Sequence, residues 1–438
     1  SVNISVEGQY SESSEKWDPQ LSGMYSWKDE AEKFGVLVAA IKQDRKVVRQ
    51  GFEVLGWPTN ADLDAKLPSH IGVPRFEQDR ERETLFLSLQ SRPSDKLDMV
   101  LNILDSKVDA NNHNQNWLIF VNNNAGSLTN TVTENGSIVA GEVAAAGTAA
   151  YNFINRVSST ETRSIDFDLN YSAENFDLHT QVGHTEAKGG TYRETSWEYG
   201  PAGGTGYNFD LRGGTPTANT DVDAADPTQF RPGWIWGGEK PTTDEETYAQ
   251  FDFTIPVQKG AFTAIKAGAK YRMAERTQDR VAYSWHGPQT MTGNEDVAGS
   301  YLDHIFATCY DWAQCGLFSG TVNIDAVVNG NMTEQMAHNR DAMEQIAFEG
   351  LNGVPADFAR SKNLAEIWAV EEDILAMYVQ GDFEGEGFRG NVGVRFVDTR
   401  QTSAGYEFSG DSWGLWTIDR EWLTPEVLEW VKVDNDYI

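Results

Sequence analysis

The sequence predicts an all-β protein, an antiparallel up-and-down β-barrel that crosses a membrane. Three observations carry this expectation. Period-two alternation recurs along most of the chain, with an apolar face opposite a polar or charged one. The connections between alternating segments are short and long by turns, the pattern of a membrane barrel with tight turns at one rim and long loops at the other. No run of 18 or more apolar residues occurs, so no helix crosses a bilayer, whereas strands with every second residue apolar could do so.

The clearest element runs from Val370 to Tyr406 and reads as one hairpin. In its first arm Leu375, Met377, Val379 and Phe383 share a face opposite Ile374, Ala376, Tyr378, Gln380 and Asp382. Glu384 to Gly387 is a short glycine-rich turn. In the second arm Phe388, Val392, Val394 and Phe396 oppose Arg389, Asn391, Gly393 and Arg395. Two arginines facing away from an apolar stripe suit a strand between lipid and a wet lumen better than a soluble sandwich core.

From the start, Val2, Ile4, Val6 and Tyr10 alternate with Asn3, Ser5, Glu7 and Gln9. Leu21, Gly23, Tyr25 and Trp27 mark the next strand, and a third runs from Phe34 to about Val48. After a connection with three prolines the chain returns through Glu77–Arg92, with Leu85, Leu87 and Leu89 on one face. It turns at Pro93–Asp95 and goes back through Leu97, Met99, Leu101 and Ile103. An asparagine-rich stretch, Asn111 to about Ser158, reads as a loop. Ile165, Phe167, Leu169 and Tyr171 then alternate with Asp166, Asp168 and Asn170, whose burial unpaired in a soluble core would cost several kcal/mol each. Phe176 to Val182 returns. Phe251–Val257 descends, and Ile265–Tyr271 rises with Lys266, Lys270 and Arg272 on its other face. In the longest loop, from about Ser284 to Val370, helical spacing predicts a helix over Thr333–Glu349 and a short second one over Leu364–Val370. About twelve strands result. Tyr10, Tyr25, Trp27 and Tyr171 read as an interfacial aromatic girdle.

The stretches Val370–Val379 and Arg389–Tyr406, supported by Trp17–Trp27, Phe34–Val38 and Phe76–Arg82, resemble a central hairpin and neighbouring strands of outer-membrane TonB-dependent receptors, in the proteobacterial branch often linked to oligosaccharide uptake. The resemblance implies a barrel of 22 strands, of which residues 1–438 supply about half. Signal peptide, plug domain with its TonB box, and C-terminal strands are then expected outside the sequence. It implies localisation in the cell outer membrane and a TonB–ExbB–ExbD partner reached through the plug. The function implied is active import of a scarce ligand, an oligosaccharide or alternatively a ferric siderophore. A passive porin and a soluble glycan-binding β-protein are the competing classes.

A net charge of −31 opposes nucleic acid as a partner, and at long range it opposes anionic siderophores. No nucleophile elbow, zincin motif or P-loop occurs, and no carboxylate pair stands out, so the chain reads as a non-enzyme without cofactor. The glycine cluster Gly203–Gly206 opens no evident βαβ unit. Asp221, Asp223 and Asp226 lack EF-hand spacing, so no metal site is assigned. Cys309 and Cys315 predict a loop disulfide in an oxidising compartment. The ligand-binding candidates are the loop aromatics Trp197, Tyr199, Tyr207, Trp234 and Trp236, then Tyr283, Trp285, His286, Tyr310 and Trp312, and finally Trp413 and Trp416. Their rings offer flat apolar faces to sugars. The competing role for each is packing the loops together, since large rings dominate any local core.

Overall fold

The computed structural model describes residues 1–285, 300–310, 315–408 and 428–437. Twelve strands form its wall: β1 (Val2–Ser11), β2 (Lys16–Lys28), β3 (Phe34–Gln50), β4 (Ile71–Ser94), β5 (Leu97–Ile119), β6 (Ala149–Ser172), β7 (Asp177–Pro201), β8 (Phe230–Lys259), β9 (Phe262–Gln278), β10 (Trp368–Gly385), β11 (Phe388–Phe408) and β12 (Leu428–Tyr437). Each pairs antiparallel with the next in strict chain order. Three short strands, Glu53–Val54, Val281–Ser284 and Ala359–Lys362, extend the sheet to 15. Residues 29–33, 95–96, 173–176, 260–261 and 386–387 turn the chain at one end. Residues 51–70, 120–148, 202–229, 279–367 and 409–427 connect strands at the other. The alternation of short and long connections is therefore as the sequence led one to expect.

The strands outrun the expectation. The stretch from Asn111 is strand to Ile119, and the return begins at Ala149, so the expected loop shrinks from both ends. Burial of His113, Gln115, Trp117 and Ile119 on one face outweighs the poor strand propensity of asparagine on the other.

The face carrying the apolar residues has three zones. Nearest the tight turns it is apolar, as in Leu97, Met99, Leu101 and Ile103 of β5. Above that it is charged. Lys42, Glu83, Lys107, Glu161 and Lys188 lie directly opposite one another across five strands with alternating sign. The Lys42 ammonium sits 2.9 Å from Glu83 and 2.7 Å from Glu81. Opposed charges favour this register by a few tenths of a kcal/mol per exposed pair. A one-residue slip would place every member on the wrong face.

The third zone is a packed core. Ile71, Trp117, Tyr151, Phe153, Trp197, Tyr199 and Phe230 project from the far ends of β4–β8 and are fully buried. A cap built by the long connections covers them. It includes a six-stranded sheet around Ser137–Gly147 and Thr205–Asp210, a hairpin of Phe318–Asn323 with Glu334–His338, and two helices, α1 (Tyr301–Thr308) and α2 (Arg340–Phe348). The helix expected over Thr333–Glu349 is thus half strand. Gln335 and Met336 are drawn into the hairpin, and α2 starts only where Asn339 caps it, accepting from the Ala342 amide at 3.2 Å. Met343 and Ile346 bury the expected helical face. Leu364–Glu366 is a single 3₁₀ turn, because Trp368 already enters β10.

Ionic contacts tie cap to wall. Lys46 lies 3.1 Å from Glu77 and 3.0 Å from Asp79, Arg75 lies 2.8 Å from Glu77, and Arg340 of α2 approaches Asp79 at 3.8 Å. Burial alone would raise the Glu77 carboxyl, but the Arg75 and Lys46 charges outweigh it and hold the group at about 2.

Candidate ligand-binding site

The register of β5–β8 sorts the candidate aromatics into two groups. Trp197 pairs with Ile235 and faces the core, as do Tyr199, Tyr283 and Trp285. The Trp285 indole donates to the Ala347 carbonyl at 2.8 Å, and Tyr283 packs on Phe348 and Phe358. Tyr207 is also buried, in the second sheet, with its hydroxyl 3.2 Å from Asn124 Oδ1. These five are buried in the packed core. His286, Trp312, Trp413 and Trp416 lie outside the described residues.

Trp234 and Trp236 lie on the opposite face, half-buried and outside the packed core of the described residues. There two rows cross the wall. In the first, Asn116, Asn152, Glu198 and Trp234 stand directly opposite one another on four successive strands. In the second, Asn114, Ile154, Ser196 and Trp236 do the same. Directly opposed side chains lie roughly 5 Å apart at Cβ, close enough for two neighbours to grip one small ring. Sequence reasoning missed Asn116, Asn152, Ser196 and Glu198. The signal was the alternation of asparagine with His113, Gln115 and Trp117.

Several polar atoms in these rows have no partner. Asn116 is 5% exposed and donates to Glu53 at 2.5 Å, but its Oδ1 is unsatisfied. The Oδ1 of Asn152 and the Oγ of fully buried Ser196 are likewise unsatisfied. Such groups cost about 1–3 kcal/mol each unless something supplies the bond. Burial pushes the Glu198 carboxyl above its usual range. Glu194, next but one on the same face, is bound to Arg156.

A recess of about 440 Å³ opens beside the first row. Glu198, Trp234, Arg231, Phe120, residues 146–150 and Gly200, Pro201, Gly203 and Gly204 line it. Its wall approaches closely at Gly204, where φ is +80° and a Cβ would stand 2.8 Å from Ala146 Cα. Arg231 donates to the carbonyls of Phe230 and Thr228 at 2.6 and 2.9 Å, and its guanidinium lies 4.1 Å from the Tyr310 ring centroid. Tyr310 is held by its neighbour, the Cys309–Cys315 disulfide that the sequence led one to expect. Cys309→Ser is expected to lower the melting midpoint of the cap, at a cost of about 2 kcal/mol for so short a loop, as read by calorimetry.

Other candidates find structural roles. Asp226 caps a 3₁₀ turn, accepting from the Thr228 amide at 3.0 Å. Among the described residues no group of three or more His, Cys, Asp or Glu is placed to hold a metal ion, and no helix is long and apolar enough to cross a membrane. Nearer the tight turns the same polar face carries a hydrogen-bonded network. Asp168 lies 2.6 Å from His179, Tyr378 donates to Asp252 at 2.9 Å, and Lys266 meets Asp382 at 2.8 Å.

The arrangement gathers an indole, buried amide and hydroxyl groups and one carboxyl on one face of the wall. No family model, curated protein or solved structure matches the chain.

Proposed function

We propose that the chain is part of a transmembrane β-barrel in an outer membrane and acts as a TonB-dependent receptor, binding an oligosaccharide at its outer end for import powered through TonB. The observation that carries the membrane reading is the upper edge of the apolar zone. On β3 it lies at Ala40, below Lys42; on β11 it lies at Phe396, below Asp398. Register leads from Ala40 through Leu85, Asp105, Arg163, Glu186, Glu245, Glu275 and Glu371 to Thr402. The edge therefore drops from Thr402 to Phe396, six residues, while crossing eight strands. At roughly 3.3 Å per residue and 4.8 Å per strand, this tilts the strands by about 30° against a flat apolar boundary, close to the usual barrel tilt.

Exposure supports the same reading. Val394 is 79% and Leu85 52% exposed, whereas the side chains of Asp168 and Asp252 are 25% and 21% exposed. A water-soluble sheet hides its apolar face. Here the polar face is the more sheltered one, as expected of a barrel with a wet lumen. Trp27, Phe34, Phe262 and Phe388 stand exposed beside the tight turns, where a girdle belongs.

The import function rests on the hairpin Val370–Tyr406 and its resemblance to TonB-dependent receptors. The polar rows and Trp234 favour an oligosaccharide over a ferric siderophore. A soluble glycan-binding protein would keep the rows but not the staggered apolar zone. Two experiments separate these readings. Without detergent the chain is expected to sediment as aggregate, and a soluble monomer would overturn the membrane assignment. Val392→Lys is expected to destabilise insertion into vesicles by about 2–4 kcal/mol. Asn391→Lys, on the opposite face, should leave insertion unchanged.

A further inference from the structure

We infer that the recess beside Glu198 is a subsite for a protonated amino group, which the Glu198 carboxylate receives as an ion pair, so that the oligosaccharide bound there carries an amino sugar. The inference rests on the oligosaccharide reading and deepens it by naming a positive charge as the feature recognised.

Glu198 lacks a counter-charge. Among the described residues it has neither a hydrogen bond nor an ion pair, and burial is the one influence acting on its carboxyl. Carboxylates elsewhere on the upper wall are matched. Glu194 on the same strand is bound to Arg156, Glu239 of β8 to Arg360, and Glu77 of β4 to Lys46 and Arg75. Arg231 stands opposite Gly200 in register and so shares the face of Glu198, but its guanidinium turns to the carbonyls of Thr228 and Phe230 and to the Tyr310 ring. A carboxylate partly withdrawn from water without a partner is unfavourable, and a cation entering the recess relieves it.

The carboxylate is also within reach of a ligand. Glu198 lines the recess, and its oxygens are not sealed as the Oδ1 atom of Asn152 beside it is. Small residues, Gly147, Ala150, Gly200 and Gly203 among them, leave room around it, and a Cβ built at Gly203 would meet nothing within 4 Å. At about 440 Å³ the recess falls in the size range of small-molecule sites. The long-range field has the matching sign. A net charge of −31 draws cations toward the chain, whereas a neutral sugar gains nothing from it. An ammonium gains from both, and it brings three donors to an acceptor that has none.

The test is calorimetry on the full chain in detergent with a trimer of glucosamine, the same trimer N-acetylated, a trimer of glucose, and ferric citrate. The N-acetylated trimer keeps the rings but loses the charge. The expected result is that the glucosamine trimer binds about tenfold or more tightly than the other two trimers, and that its binding weakens as salt is raised. Glu198→Gln keeps the shape and removes the charge; it should abolish the preference while the melting midpoint stays near that of the parent. Glu349→Gln, which removes one exposed carboxylate from the cap, should leave the preference intact. Equal binding of the three trimers, or a preference that survives in Glu198→Gln, would overturn the subsite but leave oligosaccharide uptake standing. Failure of all three trimers to bind would overturn the subsite, and with ferric citrate bound in their place it would overturn oligosaccharide uptake as well.

Discussion

Replacing Gln335 with alanine is expected to free the cap from the strand wall, at a cost of about 3 kcal/mol. Gln335 is fully buried. Its amide donates to the carbonyls of Val73 in β4 at 2.9 Å and Met332 at 3.0 Å, and its Oε1 accepts from Gln115 of β5 at 2.9 Å. Gln115 also donates to the Met336 carbonyl at 2.9 Å, so the pair joins hairpin and wall across more than two hundred residues of sequence. Truncation leaves two buried carbonyls unpaired and a void where the side chain was. Gln335→Met keeps most of the volume and isolates the hydrogen-bond loss; it should recover about 1 kcal/mol of the deficit. Limited proteolysis reads the result directly. Cleavage should quicken within residues 317–351 while the far-ultraviolet signature of the strands persists. Unchanged protection would mean that the apolar core alone fastens the cap.

Acid should loosen the same junction. His113 is 7% exposed, its Nδ1 lies 2.6 Å from Asn155 Oδ1, and burial pushes its imidazole down to about 4. His338, whose Nδ1 is fully covered beside the Phe153 ring, is driven down for the same reason. The folded state thus holds neutral imidazole where the unfolded chain, with a pKa near 6.5, takes up a proton. Stability is present in full above pH 6.5 and falls as pH drops toward 4, by about 3 kcal/mol for His113 alone. Glu77, held at about 2, adds a loss below its unfolded value of 4.5. The melting midpoint of the cap should therefore fall steadily from pH 7 to pH 4, and His113→Gln should flatten the upper part of that slope. A midpoint constant over this interval would mean that the imidazole is not sequestered.

Much of the wall was legible because period two is a local signal. The hairpin of β10 and β11 has Met377 and Val379 on the face foreseen, and the connections alternate as foreseen. What escaped depends on distant partners. Trp197 and Trp236 look alike in sequence, yet the register shift between Thr191 and Glu194 resets the phase of β7, so that Trp197 faces the core while Trp236 takes the other face. Asn112 to Asn116 read as a loop because nothing local reveals that Trp117 meets Tyr151 and Phe230. Gln335 looked helical because its partners lie in β4 and β5.

The most direct test of the membrane reading is the depth of the apolar edge on two distant strands. Spin labels placed one at a time at Ala40 and Lys42 of β3, and at Phe396 and Thr402 of β11, would be read in lipid bilayers by accessibility to oxygen and to a water-soluble nickel chelate. The expected result is that positions 40 and 396 report lipid while 42 and 402 report water, although register aligns 40 with 402. Equal access to the nickel chelate at all four positions would contradict a tilted wall in a bilayer.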